Sequence, residues 1–348
     1  MVTISYGLLN LPYFATEVMG NNAYFAVPIA MVLSFPPMLA IYLLMKRFPT
    51  LNLLQIGLKI TGPFLGRILG LGYLFTLLLL LALFTRERLN LVSAYLLVST
   101  PLSVLIVTYL FSAAYLASRG VETISRLASF VILPSLILLF LLLAGVLPKI
   151  SINRLRPVFH PDLKRYLPGG FSVLYAFYPP ALMALVTPYL QGIRRKIPRL
   201  TLLAGLLTLL FYMLIIVVVI GIFGSDYLRR FAYPALEVIN AMEFPYLLLE
   251  QAGVFMDIIL ITVALVGTAF VYYCLGLGLS QVIGVLDYKR MIWLIFPIKL
   301  FLIMFPHNIG ETKEFIHYAA SFGWIPLFGL PVLLYLLALA LGKREVQS

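Results

Sequence analysis

The chain has 348 residues, of which 62% are hydrophobic and only 11% charged. A soluble domain carries roughly 25% charged residues, so 25 basic and 13 acidic side chains cannot cover a water-exposed surface, and the mean hydropathy of +1.05 agrees. A soluble enzyme, a disordered chain and a nucleic-acid binder are excluded as first readings; the net charge of +12 reads as basic residues retained on the cytoplasmic side of a membrane.

The first apolar stretch, Thr3 to Phe14, is too short for a spanning helix, which needs about 20 residues. Asn10 and Pro12 interrupt it further. It is either a partial span or a start recorded inside the gene, and the second reading is preferred. Asn22 to Met45 is a clear span that contains Pro36-Pro37 and is closed by Lys46-Arg47. Ile68 to Val98 is apolar apart from Arg86-Glu87-Arg88. Pro101 marks a tight turn before a short span, Leu102 to Ala117. Leu127 to Leu147 is nearly uninterrupted. Tyr166 to Leu190 is broken by Pro168-Gly169-Gly170, Pro179-Pro180 and Pro188. Leu200 to Phe223, Val254 to Ile283, Met291 to Phe305 and Phe322 to Leu341 complete ten spans. The expected fold is an all-α polytopic membrane protein, a single membrane domain over 1–348.

Orientation follows from the basic residues. With Lys46-Arg47 taken as cytoplasmic, that side carries 14 basic residues and the other 8, as the positive-inside rule requires. Both ends are then cytoplasmic. Two loops are longer than hairpins. Pro148 to Arg165 carries five basic residues. Ser225 to Gln251 places Leu228, Ala232, Leu236, Ile239 and Met242 at helical spacing, which fits an amphipathic helix on the membrane surface.

Backbone groups cannot be left unpaired in lipid, and proline removes a donor. Pro36-Pro37 and Pro134 are expected only to kink their helices. The first and sixth elements differ. Gly7, Asn10 and Pro12 fall within six residues, and Tyr175, Phe177 and Tyr178 precede Pro179-Pro180. Discontinuous helices at corresponding places in two halves point to a transporter-like site. Five spans used twice, over 1–147 and 166–342, make these two elements partners. Gly7, Asn10, Tyr175, Phe177 and Tyr178 are the expected ligand-binding residues.

Ionisable residues inside spans need an account. Arg86, Glu87 and Arg88 either face the bundle interior, pairing with acids such as Glu17, or mark a helix that turns at the surface near Thr85. Lys299 either snorkels or has a structural or gating role, as do Arg86, Glu87, Pro12 and Pro179. Tyr272-Tyr273 reads as packing. Gly66-x-x-x-Gly70 and Gly276-Leu277-Gly278 permit close helix packing. One cysteine, Cys274, excludes a disulfide framework. The three histidines are too scattered for a zinc site. No catalytic motif is visible, and no metal or cofactor is expected.

Five local strings occur in a common order. They are Ile4-Ser5-Tyr6-Gly7-Leu8-Leu9-Asn10-Leu11-Pro12, Gly20-Asn21-Asn22-Ala23-Tyr24, Arg86 with Thr100-Pro101, Ala117-Ser118-Arg119-Gly120-Val121-Glu122 with Arg126, and Tyr233-Pro234-Ala235-Leu236-Glu237. Together they resemble the B subunit of the spore germinant receptors, the spore germination permease family, within the amino acid–polyamine–organocation superfamily. The chain departs from that pattern at Glu250-Gln251, at Asp257 and in its short first element. The resemblance implies about ten transmembrane helices in a leucine-transporter-like fold of inverted five-span repeats, with the first and sixth helices broken. It implies a multi-pass protein of the spore inner membrane that binds an amino acid or similar small germinant and triggers germination. Its implied partners are an A subunit and a lipoprotein C subunit. The alternatives are an ion-coupled amino-acid permease and a non-binding scaffold subunit.

Overall fold

The computed structural model describes residues 10–156, 163–189, 197–228, 252–285 and 287–344. Gly7, the string at 233–237 and the expected surface helix beyond Leu228 lie outside the described residues. Within them the chain is α-helical, with short 3₁₀ and π turns and no strand. The helices are α1 (Leu11–Met19), α2 (Ala26–Arg47), α3 (Leu53–Leu91), α4 (Leu102–Ser118), α5 (Val121–Val146), α6 (Tyr166–Ser172), α7 (Pro179–Val186), α8 (Ile197–Phe223), α9 (Ser225–Leu228), α10 (Ala252–Ile283), α11 (Tyr288–Met304), α12 (Ile309–Trp324) and α13 (Leu330–Ala340).

Among the described residues five helices or helix runs are long and apolar enough to cross a membrane, and up to seven if each of two bent pairs is one span. That is fewer than the ten expected. The difference has a physical origin in length. α4 and α11 are each 17 residues, the lower limit for a span. α1 and α2 run on through a 3₁₀ turn as one stretch, Leu11–Arg47, where two spans were expected. Phe64 and Phe130 are 75% and 77% exposed. Aromatic side chains turned outward along helices fit a hydrocarbon surround better than water.

The chain divides into two compact units. The first comprises Met1–Leu33, Arg126–Phe177 and Leu202–Ala264. Its α1 begins with proline in the first turn, where the missing N–H costs nothing. The Thr16 hydroxyl bonds back to the Pro12 carbonyl at 2.7 Å, and Gly20, at φ 59°, ends the helix. A Cβ on Gly169 would lie 2.2 Å from Met19 Sδ, and one on Gly170 2.4 Å from Ile29 Cγ2. Pro168-Gly169-Gly170 was expected to break the sixth element. Instead α6 stays helical there, and the glycines are its contact face. Pro36-Pro37 and Pro134 sit inside continuous helices. The segment after α5 is held to α8 by the Ser151 N–H, which donates to the Gly221 carbonyl at 2.9 Å.

The second unit comprises Ser34–Ser125, Tyr178–Thr201 and Leu265–Ser348. Its α3 starts well before Ile68. Asn52 and Gln55 form a capping box, each side chain accepting from the other's backbone N–H at 3.0 Å. Gly62, at φ 83° and ψ 171°, interrupts α3 just before Pro63. Close packing follows where the glycine pairs predicted it. A Cβ on Gly70 would lie 2.9 Å from Val282 Cγ2, on Gly276 2.6 Å from Ile292 Cγ1, and on Gly278 2.7 Å from Leu74 Cδ2.

Asn52 also ties three elements together. Its amide donates to the Leu185 carbonyl at 3.3 Å and to Gln281 Oε1. Asn52→Ala removes a cap, at about 1 kcal/mol, and leaves buried acceptors without a donor, at about 1–3 kcal/mol. The expected result is a thermal midpoint lower by roughly 4–12 °C in detergent. An unchanged midpoint would show that water replaces the amide.

Candidate functional site

The sixth element is broken where proline chemistry requires it. After α6 the chain makes a 3₁₀ turn over Leu174–Phe177. Pro179 then opens α7, and the Ala181 N–H donates to the Tyr178 carbonyl at 2.8 Å. Proline at the first helical position loses no bond, because that N–H has no partner in any helix. The break therefore falls at 173–178, ahead of the proline pair.

In the first unit, α1 meets this broken element. The ring of Phe14 stands edge-on to Tyr175, with centroids 6.1 Å apart and planes at 88°. The Ser172 hydroxyl donates to the Phe14 carbonyl at 3.4 Å. Asn10 precedes α1 and its carbonyl accepts the Phe14 N–H at 2.9 Å, while its own side chain does not cap the helix. Asn10, Pro12, Tyr175 and Phe177 are all buried. Of the expected ligand-binding residues, the structure thus gathers Asn10, Tyr175 and Phe177 in one unit. Tyr178 belongs to the second unit, where its hydroxyl donates to the Ala320 carbonyl at 3.1 Å and its ring meets Phe328 at 5.2 Å.

The buried polar side chains described in the first unit are Asn10, Thr16, Asn22 and Ser225, all uncharged. Such a set can hydrogen-bond a small polar molecule. No group of metal-ligating side chains occurs among the described residues.

Among the described residues the buried charges are in the second unit. Arg86, Glu87 and Arg88 are 7%, 2% and 7% exposed on an α3 that stays helical to Leu91. The alternative of a surface turn near Thr85 is therefore wrong: nothing there breaks the helix, and the Thr85 hydroxyl bonds back to the Leu81 carbonyl at 2.6 Å. Glu17, the suggested partner, is exposed and belongs to the first unit's residues. Lys299 does not snorkel. It is 0% exposed, with Nζ 4.8 Å from the centroid of the Tyr272 ring. Arg88 interacts with the charge of Lys299 and reaches the Tyr109 hydroxyl. That hydroxyl shares a 3.1 Å hydrogen bond with Thr268 Oγ1.

Sequence reasoning missed Tyr109 and Thr268 and took Tyr272 as packing. Thr268 and Tyr272 are four residues apart on α10 and share a face, a spacing that was visible. Their meeting with Lys299 and Arg88 depends on which helices pack together.

These features define an all-α protein that crosses a membrane several times, with buried ionic groups among the described residues of one unit. A family model described as "Spore germination protein" matches residues 1–312, and the chain belongs to this family of spore germination permeases. It is similar to "Spore germination protein YndE" of Bacillus subtilis (strain 168), 25% identical over 334 residues that span 94% of this chain and 91% of that one. It is similar also to "Spore germination protein B2" of the same organism, 20% identical over 361 residues, 99% of this chain and 93% of that one. "Spore germination protein A2" is 25% identical over 285 residues, 81% of this chain and 76% of that one.

Proposed function

We propose that the chain is a nutrient-receptor subunit of the spore inner membrane, binding an amino acid or similar small germinant where α1 meets the sixth element. The observation that carries this reading is the Phe14–Tyr175 contact beside the buried Asn10, in a chain of the spore germination family. Asn10 supplies a neutral amide, and Tyr175 and Phe177 an apolar wall. Tyr178 and Pro179 set the break that frees backbone groups. A half-helix end favours a carboxylate or an ammonium according to its polarity. The subunit works with an A subunit and a lipoprotein C subunit. Its ten spans form two inverted five-span repeats of the leucine-transporter type, α4 and α11 counting as short spans.

The test is germination of spores carrying Asn10→Leu or Tyr175→Ala, scored against a panel of single nutrients, with membrane abundance measured in each. Loss of one good ligand contact shifts the half-response concentration roughly tenfold upward. The site is elsewhere if both variants reach normal abundance and keep the dose curve and nutrient identity of the parent.

A further inference from the structure

In the second unit the described buried charges are Arg86, Arg88, Lys299 and the carboxylate of Glu87. Cations outnumber acids three to one. An uncompensated charge in a membrane interior is costly, and a cation over an aromatic face recovers only part of that cost. Lys299 Nζ has no hydrogen-bond partner among the described residues, nor does the Tyr272 hydroxyl. Both side chains are 0% exposed. Arg88 adds a second positive charge beside Lys299. Arg88 also reaches the Tyr109 hydroxyl, which is already bonded to Thr268, one turn from Tyr272. Arg86, two residues from Arg88, projects about 200° around α3 from it and stands apart from this group. Four helices, α3, α4, α10 and α11, thus bring together a set of side chains rich in donors and without an acceptor for the ammonium.

We propose that Lys299, Arg88 and Tyr272 form a binding site for a small monovalent anion, of the halide or carboxylate class. An anion at this point accepts from Nζ and from the Tyr272 hydroxyl. It also cancels the repulsion between Lys299 and Arg88. The ligand is small because the helices are close: a Cβ on Gly276, one turn from Tyr272, would lie 2.6 Å from Ile292 Cγ1. This site is separate from the proposed nutrient site and does not depend on it.

The full chain, purified in detergent, is heated while its tryptophan fluorescence is followed, with ionic strength and sodium held constant. Chloride or acetate replaces gluconate, which is too bulky to enter. The expected result is a saturable rise of the midpoint, by roughly 5 °C well above the dissociation constant. A rise with chloride alone assigns a halide, and one with acetate alone assigns a carboxylate. Lys299→Met removes the rise and Lys299→Arg keeps part of it. Tyr272→Phe raises the half-saturating concentration about fivefold, the worth of one hydrogen bond. No anion-specific rise in the parent chain overturns the proposal. So does an undiminished rise in Lys299→Met. If Lys299→Met does not fold, Tyr272→Phe decides, and an unchanged half-saturating concentration there overturns the site.

Discussion

Gly66→Ala is expected to abolish most of the folded protein in the membrane, although it adds one methyl group to a helix. A Cβ at this position would lie 2.6 Å from Leu58 Cα and 2.9 Å from Leu58 N. Both atoms are backbone, so no side-chain rotation relieves the overlap. The cause is local. Gly62 holds a positive φ before Pro63, and residues on either side of that turn come together. Overpacking costs about 1–3 kcal/mol where side chains can yield, and here the upper end or more is expected. Gly62→Ala is expected to cost about 1–3 kcal/mol, because its backbone at φ 83° and ψ 171° is a conformation nearly confined to glycine, and it adds no clash because nothing lies within 4 Å of its Cβ. Gly72→Ala also meets nothing within 4 Å and is expected to be neutral or to stabilise by about 0.5–1 kcal/mol. Membrane abundance and thermal midpoint should therefore rank Gly72→Ala above Gly62→Ala above Gly66→Ala. Equal behaviour of the three would mean that the turn at Gly62 does not form.

What was legible in the residues was chemistry that acts locally. Pro179 announced a helix start because it lacks an N–H, and the break before it is where that rule puts it. Asn52-Leu53-Leu54-Gln55 is a capping-box pattern ahead of an apolar run, so the early start of α3 was readable, though the span was taken from hydropathy at Ile68. Gly169 and Gly170 were misread because glycine breaks a helix in one setting and opens a contact face in another. Only the side chains of Met19 and Ile29 decide between them. The charges within spans were legible as anomalies. Their setting was not: Tyr272 and Lys299 are on different helices, and no sequence period relates them. At the candidate nutrient site, neighbours in sequence such as Tyr175 and Phe177 were found together. Tyr178, next in the chain, makes its contacts with Ala320 and Phe328 instead.

Removing the carboxylate of Glu87 is expected to be far more damaging than removing the guanidinium of Arg86. Glu87 is the single acid among the buried charged residues described, against Arg86, Arg88 and Lys299. Glu87→Gln keeps the shape and leaves three cations with no carboxylate, and breaking buried ionic compensation in this way costs about 3–5 kcal/mol. Arg86→Leu changes the balance the other way, to two cations and one acid. Arg86 Nε has no hydrogen-bond partner among the described residues, and removing a cation in excess of the buried acids relieves the cost of burying it. Thermal midpoints in detergent should therefore fall steeply for Glu87→Gln and stay level or rise for Arg86→Leu. The double variant Arg86→Leu/Glu87→Gln should recover part of the loss, because it has one fewer cation to compensate. If packing rather than charge governed this part of α3, Arg86→Leu would be the worse of the two, since it changes shape more. That order of midpoints, or a double variant no better than Glu87→Gln alone, would refute electrostatic compensation by Glu87.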